Sequence, residues 1–309
     1  MTSVELVAPT AGFLEAEIET DPARAEGAIA ILGIPYGVAY PWSGASEGCA
    51  AAPAAVRERS QRLARFRGHW DFDVSAPMLP RDAPRRLVDC GDVPGMPDDP
   101  EGNVRRAEDA VRALLAGGAT PIVLGGDDSV PIPVLRAYAD HGPISVLQVD
   151  AHLDFRDEVG GIRDGYSSPM RRASEMAHVG RIVQVGLRGV GSARPADLDD
   201  ARASGNVLVT ARELRERGVA WALGQLSVDG SVFVSFDLDG LDPSVMPAVS
   251  APAPGGLGWT EAVDLLRGLG DRVVGAAFTE FVPFPDVGDA GALVVARLVA
   301  LAAGGLAAR

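Results

Sequence analysis

Cysteine and histidine are both scarce in this chain. Its 309 residues include only two cysteines, Cys49 and Cys90, and four histidines. Two cysteines are too few for a disulfide framework, which favours a protein of a reducing compartment. The first residues also lack a basic segment followed by an apolar one, so we expect no secretory leader. These absences predict a cytoplasmic protein.

Basic charge and long apolar runs are lacking as well. Acidic residues outnumber basic ones by 42 to 28, and the formal net charge is −14. Such a surface repels nucleic acid and anionic lipid, so neither is expected as a partner, whereas a cationic small molecule would be attracted. No uninterrupted apolar run reaches the roughly 18 residues of a spanning helix. We therefore expect no membrane segment.

Short apolar segments typical of buried strands recur along the chain. Eight of them begin at Ala28, Arg86, Thr120, Ile144, Arg181, Asn206, Val232 and Val273. Between them apolar residues recur every three or four positions, as in amphipathic helices, for example at 104–116, 130–138 and 260–269. This alternation predicts an α/β fold with three α/β/α layers around a parallel sheet of about eight strands. No linker or repeat divides the chain, so a single domain over residues 1–309 is expected.

Polar clusters directly follow four of the predicted strands. They are GGDDS at 125–129, DAHLD at 150–154, DLDGLDP at 237–243 and TEF at 279–281. The carboxyl ends of parallel strands meet at one edge of a sheet, where active sites are commonly built. We therefore expect the four clusters to form one site.

The acidic residues of these clusters predict a metal site. Asp150, His152 and Asp154 occupy alternate positions, as do Asp237 and Asp239, so in extended segments each set would point to one side. Converging carboxylates repel each other and lose their hydration unless cations neutralise them. Oxygen ligands with one imidazole suit Mn²⁺ or another divalent first-row ion better than a structural Zn²⁺, which usually has cysteine ligands. Six or more candidate ligands fit two ions that share carboxylates.

Each motif has a simpler interpretation when it is taken alone. A single D-x-D is more often a turn or a helix cap, and a single histidine after a strand is usually a hydrogen-bonded structural residue. His69, His141 and His178 lie outside the motifs, and a surface or structural role suits each of them better than a catalytic one. Three acidic motifs after three strands of one sheet favour the metal site.

Two of the motifs, D-A-H-x-D at 150–154 and S-F-D-x-D-x-x-D-P at 235–243, resemble those of the ureohydrolase family of arginases and agmatinases. The resemblance extends from ILGIPYG at 31–37 to FTEFVPFPD at 278–286 and is closer to agmatinases. It implies an arginase-like fold, two divalent metal ions (Mn²⁺ first, then Ni²⁺ or Zn²⁺) and a homo-oligomer, either a trimer or a hexamer. It also implies hydrolysis of a small guanidino compound to urea and an amine, in which a metal-bridging hydroxide attacks the guanidinium carbon.

The same resemblance assigns roles to individual residues. Glu280 matches the carboxylate that holds the guanidinium, and Asp154 would hold the hydroxide and pass its proton on. The implied metal ligands are Asp128, Asp150, His152, Asp154, Asp237 and Asp239.

Two positions depart from the family's pattern. Asp128 stands in GGDDS where the family usually has histidine, and a carboxylate can also bind Mn²⁺. We expect the extra negative charge to weaken the first ion as a Lewis acid, which moves the activity optimum to alkaline pH or changes the metal preference. Tyr166 stands where the family has a histidine for proton transfer to the leaving amine or for substrate contact. A phenol can donate a proton, but its reference pKa of about 10 makes it a poorer shuttle near neutral pH.

Other functions remain open at this level. Arg171 and Arg172 would favour a guanidino acid such as guanidinobutyrate or guanidinopropionate if they face the site, but they suit a solvated or interface helix face equally well. The segment GHWDFD at 68–73 is a candidate aromatic or acidic wall. A substituted amidine is a further substrate class. A catalytically weakened structural or regulatory subunit is the alternative outside enzymes, because Asp128 and Tyr166 replace histidines.

Overall fold

Parallel strands form the central sheet of the molecule. The structure is a computed structural model that describes residues 4–42, 44, 48–80, 82–227, 230–284 and 286–308. In chain order, the strands are β1 (Glu17–Ile18), β2 (Ile29–Ile34), β3 (Trp70–Asp71), β4 (Ala76–Pro77), β5 (Leu87–Asp92), β6 (Thr120–Gly125), β7 (Ile144–Val149), β8 (Val179–Leu187), β9 (Val207–Thr210), β10 (Ser231–Asp237) and β11 (Val273–Thr279). Nine of them form one sheet in the order β1-β5-β2-β6-β11-β10-β7-β8-β9, and every neighbouring pair is parallel. β3 and β4 form a separate antiparallel hairpin.

Helices connect the strands of the sheet and cover it. The α-helices are α1 (Ala52–Ala64), α2 (Pro100–Ala116), α3 (Pro131–Arg136), α4 (Pro169–Ser174), α5 (Pro195–Ala203), α6 (Ala211–Arg217), α7 (Val219–Leu223), α8 (Trp259–Leu269) and α9 (Ala290–Ala307). Several begin with proline in their first turn, where the missing amide hydrogen costs nothing.

The strands bury apolar side chains on both faces. In β2, Ile29 and Ile31 belong to one hydrophobic cluster, whereas Ala30 and Leu32 belong to the other. The first cluster also contains side chains of α1, α8 and α9, and the second contains those of α2 and α3. The sheet therefore lies between two helical layers, which confirms the predicted three-layer α/β/α fold.

All eight predicted strands lie in the sheet, whereas β1 of the sheet and the two short strands of the hairpin, β3 and β4, were not predicted. β1 has only two residues, Glu17 and Ile18, and pairs with β5 at the edge. Two residues give no periodicity, so the pattern could not indicate it. The predicted helices correspond to α2, α3 and α8, with ends that differ by at most four residues.

One helix of the described residues, at the C-terminal end of the sequence, has the length and composition of a membrane span, so the expectation of no membrane segment stays a prediction. An 18-residue window of the helical segment Val287–Ala307 has a mean hydropathy of 1.9. In the structure, 61% of that window is buried inside the molecule. Arg297 interrupts the apolar run of this helix, so no uninterrupted run in the sequence marks it. Here α9 packs against α1 and α8 as a core helix.

Candidate metal centre

Four neighbouring strands bring the acidic residues to one edge of the sheet. β6, β11, β10 and β7 are adjacent and parallel, so their carboxyl ends lie side by side. Asp128 follows β6, Asp150 follows β7, Asp237 ends β10 and Glu280 follows β11. The polar clusters therefore form one group at this edge.

The backbone turns after three of these strands, and the same local hydrogen bond is made each time. A carboxylate Oδ1 accepts from the amide two residues later: Asp127 from Ser129 (3.0 Å), Asp150 from His152 (2.5 Å) and Asp237 from Asp239 (2.8 Å). Short acidic side chains commonly stabilise turns in this way. The predicted extended conformation at these positions is therefore wrong, because a turn replaces it, although the side chains still converge.

Asp150 belongs to two groups of side chains that could each hold a metal ion. Ligand atoms of Asp150, His152 and Asp239 lie within 4.8 Å of one another, and so do those of Asp128, Asp150 and Asp154. Nδ1 of His152 is 3.0 Å from Oδ2 of Asp239 and 3.5 Å from Oδ1 of Asp150. A carboxylate common to two such groups suits a pair of ions with a bridging ligand.

Asp237, the remaining predicted ligand, is buried beside both groups. Burial raises its pKa well above the ordinary carboxyl value, and the charges of Asp239, Asp150 and Asp128 raise it further. The six predicted ligands thus lie together in the structure.

Burial and mutual repulsion also raise the pKa of the neighbouring acids. The pKa values of Asp128, Asp150 and Asp154 lie well above the ordinary range, first because burial penalises the charged form and then because adjacent carboxylates repel it. The pKa of His152 is raised to about 9, first of all by its hydrogen bond to Asp239. Such a cluster retains protons until cations replace them, which is the electrostatic condition of a metal site.

One carboxylate oxygen of Asp128 lacks a hydrogen-bond partner within the described residues. Oδ2 is buried and unpaired, whereas Oδ1 accepts from the hydroxyl of Thr279 at 2.6 Å. A buried oxygen without a donor is costly, and a divalent ion that takes its lone pair would remove this cost. The unpaired oxygen and the oxygen-rich set of side chains both fit a hard ion such as Mn²⁺.

Glu280 lies directly beside these carboxylates. Its Oε1 accepts the amide of Asp128 at 2.8 Å, and the thiol of Cys49 is 3.8 Å from Oε2. Burial, and then the charge of Asp127, raise the pKa of Glu280 to about 7. Glu280 and Asp154 have φ values of 66° and 46°, in the left-handed region that non-glycine residues seldom adopt. Strained backbone of this kind often occurs at functional positions.

Tyr166 lies in the loop between β7 and α4 and packs against another aromatic residue. Its ring centroid is 4.4 Å from that of Tyr40, which itself stacks on Trp42. The loop returns to the acidic centre at its end, where the amide of Met170 donates to the carbonyl of Asp154 at 3.2 Å. The role of Tyr166 as a proton donor stays a prediction.

Arg171 and Arg172 bind carboxylates of the protein itself. Arg171 contacts Glu175 at 2.9 Å and Asp200 at 3.1 Å, and Arg172 contacts Asp157 at 2.7 Å and Glu175 at 3.1 Å. These ion pairs favour a structural role in α4 over the binding of a substrate carboxylate.

The segment at 68–73 is held by the C-terminal part of the chain. Asp71 and Asp73 bind Arg297 of α9 at 2.7 and 2.8 Å, and Asp73 also accepts from the indole of Trp259 at 3.1 Å. Asp71 and Asp73 thus share the single charge of Arg297, and the suggestion of an aromatic or acidic wall stays a prediction.

Other polar side chains, which were not predicted from the sequence, hold the candidate ligands in place. Gln148, inside β7, donates to Oδ2 of Asp150 at 2.6 Å. Arg188, directly after β8, donates to the backbone carbonyl of Asp239 at 2.6 Å and so holds the turn that carries this ligand. The available signal for Gln148 is a large polar residue in a strand that is otherwise apolar except for Ser145.

Comparison with known proteins agrees with this geometry. A sequence model described as the arginase family matches residues 27–304. The agmatinase of Sodalis glossinidius is 32% identical over 303 residues, which cover 95% of this chain and 92% of the relative. The guanidinopropionase of Pseudomonas aeruginosa is 34% identical over 300 residues, which cover 93% of this chain and 88% of the relative.

Solved structures show the same similarity. The proclavaminate amidinohydrolase of Streptomyces clavuligerus superposes with a TM-score of 0.80 at 27% identity, and 99% of each chain is covered. The formiminoglutamase of Trypanosoma cruzi, solved with Mn²⁺, superposes with a TM-score of 0.79 at 26% identity, over 96% of this chain and 98% of that one.

Proposed function

Because this chain belongs to the arginase family and is a hydrolase of amidine C–N bonds, we propose that it hydrolyses a small guanidino compound to urea and an amine. The observation that carries the proposal is that Asp150 belongs to both groups of candidate ligands. Buried carboxylates whose charges repel each other have no evident purpose in a stable fold unless cations bind them.

The centre is proposed to hold two divalent ions, with Mn²⁺ as the first candidate. The ligands would be the six side chains Asp128, Asp150, His152, Asp154, Asp237 and Asp239. When bound, such ions lower the pKa of water so that a nucleophile forms near neutral pH. The relative solved with Mn²⁺ supports this choice of metal.

Asp154 is the proposed acceptor of the proton from the attacking water. Its carboxylate is buried with Asp128 and Asp150, and its pKa is raised by burial and by Asp150. Once ions have replaced its proton, this carboxylate would lie beside the water that they activate and could accept a proton from it.

Glu280 is the proposed contact for the guanidinium of the substrate. A guanidinium presents five N–H donors in one plane and matches a carboxylate. The amide of Asp128 fixes Oε1 of Glu280 at 2.8 Å, so the carboxylate is oriented before the substrate arrives. A cationic substrate would also stabilise the ionised form of Glu280.

The far end of the substrate is proposed to carry no carboxylate, as in agmatine. Arg171 and Arg172 are the arginines that the sequence suggested for a guanidino acid, and both are bound to carboxylates of the protein. The net charge of −14 further favours a cation over an anion.

The test is the release of urea from agmatine, arginine, guanidinobutyrate, guanidinopropionate, guanidinoacetate and guanidine. The protein is loaded with Mn²⁺, Ni²⁺ or Zn²⁺ and assayed from neutral to alkaline pH. Glu280→Gln is the matched variant, because it keeps the shape of the side chain and removes the charge that holds the guanidinium. We expect urea from agmatine in the unmodified protein and at least a 100-fold loss of kcat/KM in the variant, as for a broken buried ion pair worth about 3–5 kcal/mol.

The other outcomes are equally informative. Urea from a guanidino acid but not from agmatine would overturn the proposed substrate and keep the reaction. Two bound ions without urea from any compound would favour an unusual amidine or a structural subunit. Cytoplasmic location and assembly into a trimer or hexamer stay predictions.

A further inference from the structure

Three buried side-chain amides form a continuous chain that ends at the metal centre. Gln148 of β7 and Gln184 of β8 occupy directly paired positions on neighbouring strands, and both are fully buried. Asn206, directly before β9, donates to Oε1 of Gln184 at 3.0 Å, and Gln184 donates to Oε1 of Gln148 at 2.6 Å. Gln148 then donates to the carboxylates of Asp150 and Asp154 at 2.6 and 3.3 Å.

The direction of this chain is fixed by a backbone carbonyl. Nε2 of Gln184 also lies 2.7 Å from the carbonyl oxygen of Leu153, which can only accept a hydrogen bond. Gln184 must therefore place its NH₂ group there, and its second hydrogen meets the oxygen of Gln148. The NH₂ group of Gln148 is then left to face Asp150 and Asp154, which accept as carboxylates.

The bonds leave the carboxylate of Asp150 held at both oxygens. Oδ1 accepts the amide of His152, and Oδ2 accepts Gln148. Each carboxylate oxygen has a further lone pair for an ion, so these bonds orient the group without blocking it. Donors behind metal ligands commonly have this function.

We propose that Gln148 and Gln184 are positioning residues of the metal centre, acting as a directed amide pair that holds Asp150 and Asp154 in their metal-binding orientation. The inference rests on the proposed function, because it requires ions at these carboxylates. Gln184 orients Gln148 and also holds the backbone at Leu153, next to Asp154. Without Gln184, Gln148 is free to rotate and turn its carbonyl oxygen toward the two carboxylates.

The affinity for Mn²⁺, measured by competition with a coloured chelator, tests the proposal without relying on activity. Gln148→Met keeps an unbranched side chain and removes the donor, and we expect the dissociation constant to rise roughly 10- to 100-fold. Gln184→Met should weaken binding in the same direction. The double variant should lose less affinity than the product of the two single losses, because both single variants break the bond between Gln184 and Gln148.

Gln61→Met is the matched control. Gln61 also donates to two backbone carbonyls, those of Gly12 and Arg57, but it lies in α1. This variant should lower the melting temperature of the metal-free protein and leave the affinity for Mn²⁺ unchanged. The melting temperatures of all variants are compared without metal, so that a loss of fold is separated from a loss of affinity.

The possible results separate the inference from the proposed function. If the unmodified protein binds none of Mn²⁺, Ni²⁺ and Zn²⁺, both are overturned. If it binds Mn²⁺ and a folded Gln148→Met variant binds it equally tightly, the inference alone is overturned. If the losses in Mn²⁺ affinity of the two single variants multiply in the double variant, the directed pair is refuted. If Gln148→Met does not fold, the affinity of Gln184→Met for Mn²⁺ provides the same test.

Discussion

Nδ1 of His152 lies 3.0 Å from Oδ2 of Asp239, and this contact keeps the imidazole protonated at neutral pH. The pKa of His152 is raised to about 9, with the hydrogen bond to Asp239 as the largest cause. A metal ion binds only the neutral imidazole. The centre therefore has to exchange protons for ions at any pH below about 9.

We expect Mn²⁺ binding at neutral pH to release protons. We also expect the affinity for Mn²⁺ to rise as the pH approaches the pKa of His152, about 9. Calorimetric titration in two buffers of different ionisation enthalpy counts these protons. His152→Gln, titrated to saturation, should release fewer of them. Equal counts for the two proteins would show that His152 is already neutral before the ion binds.

Asp237 makes the stability of the metal-free protein depend on pH. The pKa of Asp237 is raised in the folded state. Its contribution to stability is therefore complete at a pH below the ordinary carboxyl pKa, and it is lost as the pH rises through the pKa of the folded state. Between these two pKa values the unfolded chain releases this proton while the fold retains it, so the metal-free fold is less stable there than in acid. In Asp237→Asn the carbonyl oxygen can still accept the amide of Asp239, and the titrating carboxyl group is removed.

For Asp237→Asn we expect a higher melting temperature than that of the unmodified protein without metal at neutral pH. We also expect a smaller gain in the free energy of unfolding on addition of Mn²⁺. For the unmodified protein this gain should reach about 2.7 kcal/mol when the concentration of free Mn²⁺ is 100 times the dissociation constant. Asp199→Asn, an exposed change on α5, should alter neither value. A lower metal-free melting temperature for Asp237→Asn would contradict the electrostatic account.

The edge of the sheet where the acids meet could be predicted because strand ends are encoded locally. Apolar segments indicate β7 and β10, and the first polar residues after them, Asp150 and Asp237, mark the carboxyl ends. Parallel pairing then places both acids at one edge. The turns that aim the side chains were not predicted, because their hydrogen bonds depend on the local backbone conformation.

The partners of Arg171 and Arg172 could not be predicted in the same way. Along the chain, Asp157 lies 15 residues from Arg172, and Asp200 lies 29 residues from Arg171. No periodicity connects these acids with α4. Gln184 is a similar case, because its bond to Gln148 depends on the register between β7 and β8. Contacts across the sheet require the three-dimensional fold.

Asp128→His would restore the histidine of the family's pattern and remove one negative charge from the centre. We expect the pH optimum of urea release to move to lower values, because a less negative centre leaves the ions stronger Lewis acids. Thr279→Val is the control, since it removes only the hydrogen bond of 2.6 Å to Oδ1 of Asp128. Superimposable pH profiles of Asp128→His and the unmodified protein would refute the charge argument.

Tyr166→Phe separates the proton-donor role of this residue from its packing. The variant keeps the ring, whose centroid is 4.4 Å from that of Tyr40, and loses the hydroxyl. If the phenol protonates the leaving amine, kcat should fall by roughly 100-fold or more, the usual contribution of a general acid, while KM and metal content are retained. Tyr40→Phe, which keeps the same ring pair, should leave kcat nearly unchanged. A group that delivers a proton in the transition state cannot be removed without a loss of rate. An unchanged kcat in Tyr166→Phe would therefore assign the proton to another donor and make Tyr166 a packing residue of the loop.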